Sequence, residues 1–202
     1  MSSLLAQLTE QAQAFSPLEL TAVVLAIAYL LLAIRQNIWC WLCAGVSTAI
    51  YVWLFIGAKL YMESVLNAFY FVMAIYGWYF WTTGETKDHE RPVVCWPLQT
   101  HAAAIVVILA FSVINGYFLS RHTDAAFPYV DSLTTWSAIW ATFLVARKVL
   151  ENWWYWLGID MASVFIYWTR DLQLTSLLFL VYVIMIPFGL VSWSRSMRER
   201  RA

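Results

Sequence analysis

Charged side chains are scarce in this chain. Only 12% of its 202 residues are Asp, Glu, Lys or Arg, and the 12 basic and 12 acidic residues cancel. Because a soluble domain has about 25% charged residues, this sequence has too few of them to cover a water-exposed surface. The absence of a basic excess also argues against nucleic-acid binding. Since 62% of the residues are hydrophobic, the composition predicts an integral membrane protein.

Residues that typically support catalysis or metal binding are sparse as well. Three cysteines are too few for a disulfide framework, and the C-x-x-C pair Cys40 and Cys43 lies in an apolar run, which favours helix packing. His89 and His122 fall in predicted loops and His101 near a span start, where solvated side chains are expected. The sequence has no H-E-x-x-H, G-x-S-x-G or Walker string. We therefore expect neither an enzyme nor a metal or cofactor site.

Seven apolar segments are each long enough to cross a bilayer, which takes about 20 residues. Short polar segments separate them, and the longest of these hydrophilic connections is 82–91. The sequence thus predicts an all-α membrane protein with seven transmembrane helices. The predicted spans are Leu18–Ile34, Ile38–Ile56, Leu60–Trp81, Leu98–Leu119, Ser132–Val149, Trp153–Thr169 and Leu174–Trp193.

The distribution of Lys and Arg predicts the orientation of these spans. With seven spans, nine basic residues fall on the side of the C-terminus and three on the other side. Cytoplasmic loops carry the excess of positive charge, so the N-terminus is expected outside and the C-terminus in the cytoplasm. Residues 1–17 contain no Lys or Arg and are expected to be a short polar tail rather than a signal peptide. Residues 195–202 form a predicted basic cytoplasmic tail.

Two parts of the chain share a tryptophan pattern. At an offset of 115 residues, all four tryptophans of residues 37–78 fall on tryptophans, where chance predicts about 0.5 coincidence. A belt of interfacial tryptophans would explain their number but not a shared register. The pairs are Trp39 with Trp154, Trp41 with Trp156, Trp53 with Trp168, and Trp78 with Trp193.

This pattern predicts a repeat of three helices. The first copy covers residues 18–81 and the second covers 131–194, and residues 82–130 hold a cytoplasmic loop and a linker helix (98–119). Because each copy has three spans, a second copy that followed directly would be inverted relative to the first. The additional span between them, the linker helix, restores the second copy to the orientation of the first. The result is a parallel 3+1+3 arrangement about an axis normal to the membrane. Such repeats are typical of transporters that bind substrate near the midplane between the copies.

Asp160 is the only ionisable residue near the middle of a predicted span. A carboxylate at that depth is costly and normally faces a cavity or a partner. Two interpretations stay open: a hydrogen bond from a protonated Asp160 to a neighbouring helix, or contact with a substrate or cation. Ser163 lies one helical turn further along the same face.

The third predicted span presents an amide and a phenol on one face. Asn67 and Tyr70 are spaced i, i+3, and Glu63 lies a turn nearer the membrane surface, where solvation explains it. For Asn67, ligand contact and helix–helix hydrogen bonding are both open. Aromatic residues are 18% of the chain, and those inside spans suit a flat cationic ring, although core packing explains each of them equally well. The interior aromatic residues are Tyr70, Trp136, Trp140 and Tyr182.

The second half contains the string R-K-x-x-E-N-W-x-x-W, which begins at Arg147 and is followed by Asp160 and Ser163. Together with Tyr76-Gly77-Trp78 at the end of the third span, this string resembles the PnuC family of bacterial nicotinamide riboside transporters. The resemblance extends over nearly the whole chain. It implies a SWEET-like fold in the bacterial inner membrane, a homotrimer, and facilitated diffusion made one-way by a cytoplasmic riboside kinase. An amide is expected at position 160 in some relatives.

Nicotinamide riboside is a cationic pyridinium that carries a carboxamide and a ribose diol. Aromatic walls suit the ring, Asn67 suits the carboxamide, and Asp160 with Ser163 suits the diol. No Arg or Lys is predicted at mid-membrane depth, so the phosphorylated form should be excluded. A carrier for a thiamine-like compound, another vitamin nucleoside or a sugar is the alternative. The predicted substrate-contacting residues are Trp53, Asn67, Tyr70, Asn152, Trp156, Asp160, Ser163 and Tyr182.

Overall fold

Seven α-helices make up almost all of the structure. The computed structural model describes residues 16–57, 61–83, 91–123, 127–170 and 172–200. Most of the predicted polar tail and of the 82–91 loop therefore lie outside the described residues. Within them the helices are α1 (Pro17–Ile34), α2 (Trp39–Gly57), α3 (Tyr61–Thr82), α4 (Leu98–His122), α5 (Pro128–Ala146), α6 (Asn152–Thr169) and α7 (Gln173–Glu199).

Capping explains the start of α1. The Ser16 Oγ accepts a hydrogen bond from the backbone N–H of Glu19 at 3.2 Å, which satisfies one of the free donors at the helix start. Pro17 occupies the first turn, where its missing N–H costs nothing. The predicted start at residue 18 is therefore correct to within one residue.

The bounds of α5 differ from the prediction. The helix begins at Pro128, four residues before the predicted Ser132, because a proline is well accommodated in the first helical turn. It ends at Ala146 rather than at Val149. Lys148 has a φ of 54°, which is outside the right-handed helical region, so the chain turns there.

The helix surfaces are those of a membrane protein. Four helices, α1, α2, α4 and α7, are long and apolar enough to cross a membrane by length and composition. Along α4, Val106, Val113 and Phe118 are each at least half exposed. Exposure of such an apolar face to water would be unfavourable, whereas contact with lipid acyl chains is favourable. The prediction of an all-α, multi-pass membrane protein is confirmed.

The helices pack as two groups of three. In the first group α2 packs against α1 and α3, and in the second α6 packs against α5 and α7. The linker helix α4 packs against α5. The two groups meet where α3 packs against α5 and where α1 packs against α7, and we call this boundary the seam.

The two groups contain matching tryptophan pairs. Trp41 and Trp81 meet edge-on with ring centroids 5.5 Å apart and an interplanar angle of 87°, and Trp153 and Trp193 repeat both values. Each residue lies 112 residues from its counterpart, and Gln36 and Lys148, which have φ angles of 53° and 54°, are also 112 positions apart. The contacts therefore recur at an offset of 112, and the predicted register of 115 is wrong. Because three residues are nearly one helical turn, the run of tryptophans at the start of α6 also produced coincidences in the slipped register.

Two glycines make these tryptophan contacts possible. A Cβ on Gly77 would overlap the indole ring of Trp41, and a Cβ on Gly189 would overlap that of Trp153. Gly77 and Gly189 are again 112 positions apart, as are the two tryptophans that they contact. Each group therefore depends on a glycine for the close approach of two helices.

Reciprocal hydrogen bonds cross the seam. The Trp81 Nε1 donates to the carbonyl oxygen of Ala146 at 3.0 Å, and the Trp193 Nε1 donates to that of Ala33 at 2.9 Å. The rings of Trp81 and Trp193 also face each other, with centroids 6.3 Å apart. Each group thus satisfies a helix-end carbonyl of the other, and the four linked tryptophans fill the seam at that end of the molecule.

Candidate substrate site

Asp160 is a buried carboxyl residue that has no partner within the described part of the chain. It lies in the middle of α6 and is 4% exposed. It makes no hydrogen bond or ion pair with any residue that the structure describes. An ionisable group buried without a partner is costly, which makes Asp160 a candidate for contact with a substrate.

Hydroxyl-bearing residues of α6 and α7 lie in the region of this carboxylate. Ser163 follows one turn later on α6 and is buried, with no hydrogen bond to the described residues. Tyr182 on α7 lies within electrostatic range of both Asp160 and Tyr51, which is on α2. Since α2 belongs to the first group and α7 to the second, these side chains converge from both sides of the seam.

Helix α3 brings the predicted amide and phenol to the same region. Tyr70 packs against a small cluster formed by Ala138, Ala141 and Ile159 of the second group. Asn67 is half-buried, and its Nδ2 donates to the backbone carbonyl of Glu63 at 2.9 Å. This bond holds the amide in place and leaves its carbonyl oxygen available as an acceptor.

Trp156 connects the site with the core. Its ring packs against the small cluster next to Tyr70 and also against the larger core cluster, and it is half-buried. On α6 it precedes Asp160 by four residues, so both lie on one face of the helix. The spacing therefore places the Trp156 indole on the same face of α6 as the Asp160 carboxyl group.

Two predicted contact residues lie elsewhere. Trp53 is 74% exposed and lines an apolar groove of about 720 Å³ on the outside of the first group, so it is part of the lipid-facing surface. Asn152 is fully buried in the first turn of α6, where its Nδ2 donates to the carbonyl oxygen of Val149 at 2.6 Å.

Sequence reasoning also missed several residues of this region. Tyr29, Tyr51 and Tyr167 carry half-buried phenols, and Tyr70 lies within range of both Tyr29 and Tyr167. The presence of tyrosines inside predicted spans could have indicated these residues. Spacing along one helix, however, does not show which phenols of different helices lie close together.

His101 is not solvated, contrary to the prediction. It is 7% exposed, and its Nδ1 is 3.1 Å from the hydroxyl oxygen of Tyr155. Its Nε2 lies 3.9 Å from a carboxylate oxygen of Glu151. These contacts attach α4 to the start of α6, so the histidine is a packing element of the linker helix.

Lys148 is a buried cation at the end of the seam that the four tryptophans fill. It is 2% exposed, its Nζ lies 4.5 Å from the centroid of the Trp81 ring, and it donates to the Gln36 Oε1 at 3.5 Å. Its position at the end of α5 places it away from the middle of the spans. Among the described residues, no group of three or more His, Cys, Asp or Glu side chains could hold a metal ion.

A search of family profiles identifies this architecture. The profile described as nicotinamide mononucleotide transporter matches residues 16–195, which is most of the chain. The chain belongs to this transporter family. Family membership makes it a membrane transporter, and the resemblance found in the sequence is confirmed.

Individual relatives agree with this assignment. The chain is 27% identical over 172 residues to the nicotinamide riboside transporter PnuC of Escherichia coli, which covers 73% of this chain and 72% of the relative. It is 25% identical over 185 residues to the riboflavin/roseoflavin transporter RibM of Streptomyces davaonensis, with coverages of 88% and 85%. A crystal structure of the vitamin B3 transporter PnuC has the same fold, with a TM-score of 0.71 at 20% identity over 97% of this chain and 90% of that one.

Proposed function

We propose that this protein carries nicotinamide riboside across the membrane. The observation that carries the proposal is the buried carboxyl group of Asp160, which has no partner among the described residues and lies near Tyr182, itself a neighbour of Tyr51 in the first group. A pyridinium is a flat cation, which a carboxylate and aromatic faces attract together. In this proposal Asn67 receives the carboxamide, Asp160 and Ser163 contact the ribose diol and the cationic ring, and Tyr70, Trp156 and Tyr182 line the pocket.

The same proposal includes the membrane arrangement. We infer seven spans in a parallel 3+1+3 order, with the N-terminus outside and the C-terminus in the cytoplasm of a bacterial inner membrane. The recurrence of the tryptophan and glycine contacts at an offset of 112 residues supports two like-oriented groups, and the bias of Lys and Arg supports the orientation. Transport is facilitated diffusion by a homotrimer, and a cytoplasmic kinase traps the product.

A charge-neutral substitution tests the role of the carboxylate. Asp160→Asn keeps the shape of the side chain but removes its charge, so the affinity for nicotinamide riboside should fall about tenfold, which corresponds to about 1.4 kcal/mol. Isothermal titration calorimetry of the detergent-solubilised protein measures this affinity. Glu63→Gln is the matched control because Glu63 is exposed on α3, and it should bind as the wild type does. Unchanged affinity in Asp160→Asn would contradict a cation contact.

Riboflavin is a second candidate substrate, because a riboflavin/roseoflavin transporter is among the relatives with the widest coverage. Its ring system is neutral, so binding would not need the Asp160 charge. Competition with labelled nicotinamide riboside separates the two candidates: we expect unlabelled riboside to displace the label at much lower concentration than riboflavin. The reverse order would favour riboflavin.

A further inference from the structure

A groove lies where the end of α1 meets the C-terminal half of α7. It has a volume of about 740 Å³, and we call it the arginine groove. The residues that matter for its chemistry are Arg35, Gln36, Phe188, Val191, Arg195 and Glu199. It lies at the end of the molecule where the four tryptophans fill the seam, and it takes no part in the proposed substrate site.

The α7 wall of the groove changes character along the helix. Phe188 and Val191 are 66% and 61% exposed, and Arg195 follows at the next turn on the same face, since positions 188, 191 and 195 are spaced i, i+3, i+7. An exposed apolar stripe that ends in a cation matches the order of acyl chain and headgroup in a lipid monolayer.

The arginines of the groove are available for an anion. Arg35, which caps the end of α1, and Arg195 are both exposed, and neither forms an ion pair with a residue that the structure describes. Glu199 is the acidic residue of the lining, so the two guanidinium groups leave the groove with a positive excess. Guanidinium groups bind phosphate oxygens in paired, planar hydrogen bonds.

We propose that the arginine groove binds the phosphate of an anionic phospholipid, with an acyl chain along Phe188 and Val191. Charge complementarity and the adjoining apolar wall favour a lipid over free phosphate, because inorganic phosphate would gain nothing from the exposed phenylalanine and valine. A zwitterionic lipid such as phosphatidylcholine presents its own cation and binds less well.

Native mass spectrometry of the detergent-solubilised full chain tests this proposal with added phosphatidylglycerol or phosphatidylcholine. The wild type should retain phosphatidylglycerol in preference to phosphatidylcholine. In the double variant Arg35→Gln/Arg195→Gln, the amount of bound phosphatidylglycerol should be about tenfold lower. The double variant Arg198→Gln/Arg200→Gln is the matched control, since it removes the same amount of charge from the same end of the molecule but outside the groove. It should retain the lipid as the wild type does.

One additional variant and three possible outcomes complete the experiment. Glu199→Gln removes the repelling carboxylate and should raise retention of phosphatidylglycerol. Equal loss in both double variants would show diffuse attraction to the basic tail instead of a site. Displacement of the bound lipid by millimolar inorganic phosphate, or equal retention of the two lipids, would also overturn it.

Discussion

Asp160 and Asn152 are both polar residues buried in α6, but their side chains differ in hydrogen bonding. Asn152 donates a short hydrogen bond to the backbone of the preceding turn, so its amide stabilises the helix start. Asp160 receives no hydrogen bond from the described residues and lies beside Ser163, one turn away. Burial alone therefore does not mark a binding residue, and Asp160 is a candidate because it is an ionisable group at the middle of a helix.

Aromatic residues of α6 give a test at the same scale. Trp156→Leu removes the ring on the Asp160 face, so the affinity for nicotinamide riboside should fall by about 1 kcal/mol, while Trp156→Phe should lose less because a π face remains. Trp154→Leu is the matched control, because Trp154 is 59% exposed and lies off that face. Calorimetric affinities that are equal for wild type and Trp156→Leu would assign Trp156 to packing alone.

At the scale of helices, the close contacts of glycine with tryptophan hold each group together. Ala at position 77 or 189 would push Trp41 or Trp153 out of place, and overpacking of this kind costs about 1–3 kcal/mol. We therefore expect Gly77→Ala and Gly189→Ala each to lower the thermal unfolding midpoint of the solubilised protein.

Gly158→Ala is the control for that experiment. Gly158 is also inside a helix, but a Cβ there meets nothing within 4 Å, so alanine should be neutral or should raise stability by the helix-propensity gain of about 1 kcal/mol. Similar midpoints for all three variants would contradict the account of the glycines. Unequal effects of the 77 and 189 variants would show that the two groups are not equivalent in packing.

The sequence predicts helices better than it predicts their contacts. Apolar runs located α1, α2 and α3 to within about one residue, because hydropathy changes sharply at their ends. The end of α5 was misplaced since a turn at Lys148 depends on backbone conformation. Asp160 was predictable because an ionisable residue within an apolar span stands out, whereas the proximity of Tyr51 in the first group to Tyr182 in the second depends on packing between the two groups.

At the scale of the whole molecule, the two groups exchange equivalent interactions across the seam. Trp81 and Trp193 each bond a carbonyl of the opposite group and contact each other, while the candidate site lies further along the helices. A seam that is filled at one end agrees with the proposal of a carrier that exposes its site to one side at a time.

Uptake of labelled nicotinamide riboside into proteoliposomes tests the central claim most directly. With no ion gradient and no kinase present, the account predicts protein-dependent entry until the inner and outer concentrations are equal, with nicotinamide mononucleotide excluded. Entry no faster than into protein-free liposomes, or accumulation that requires an ion gradient, would contradict it.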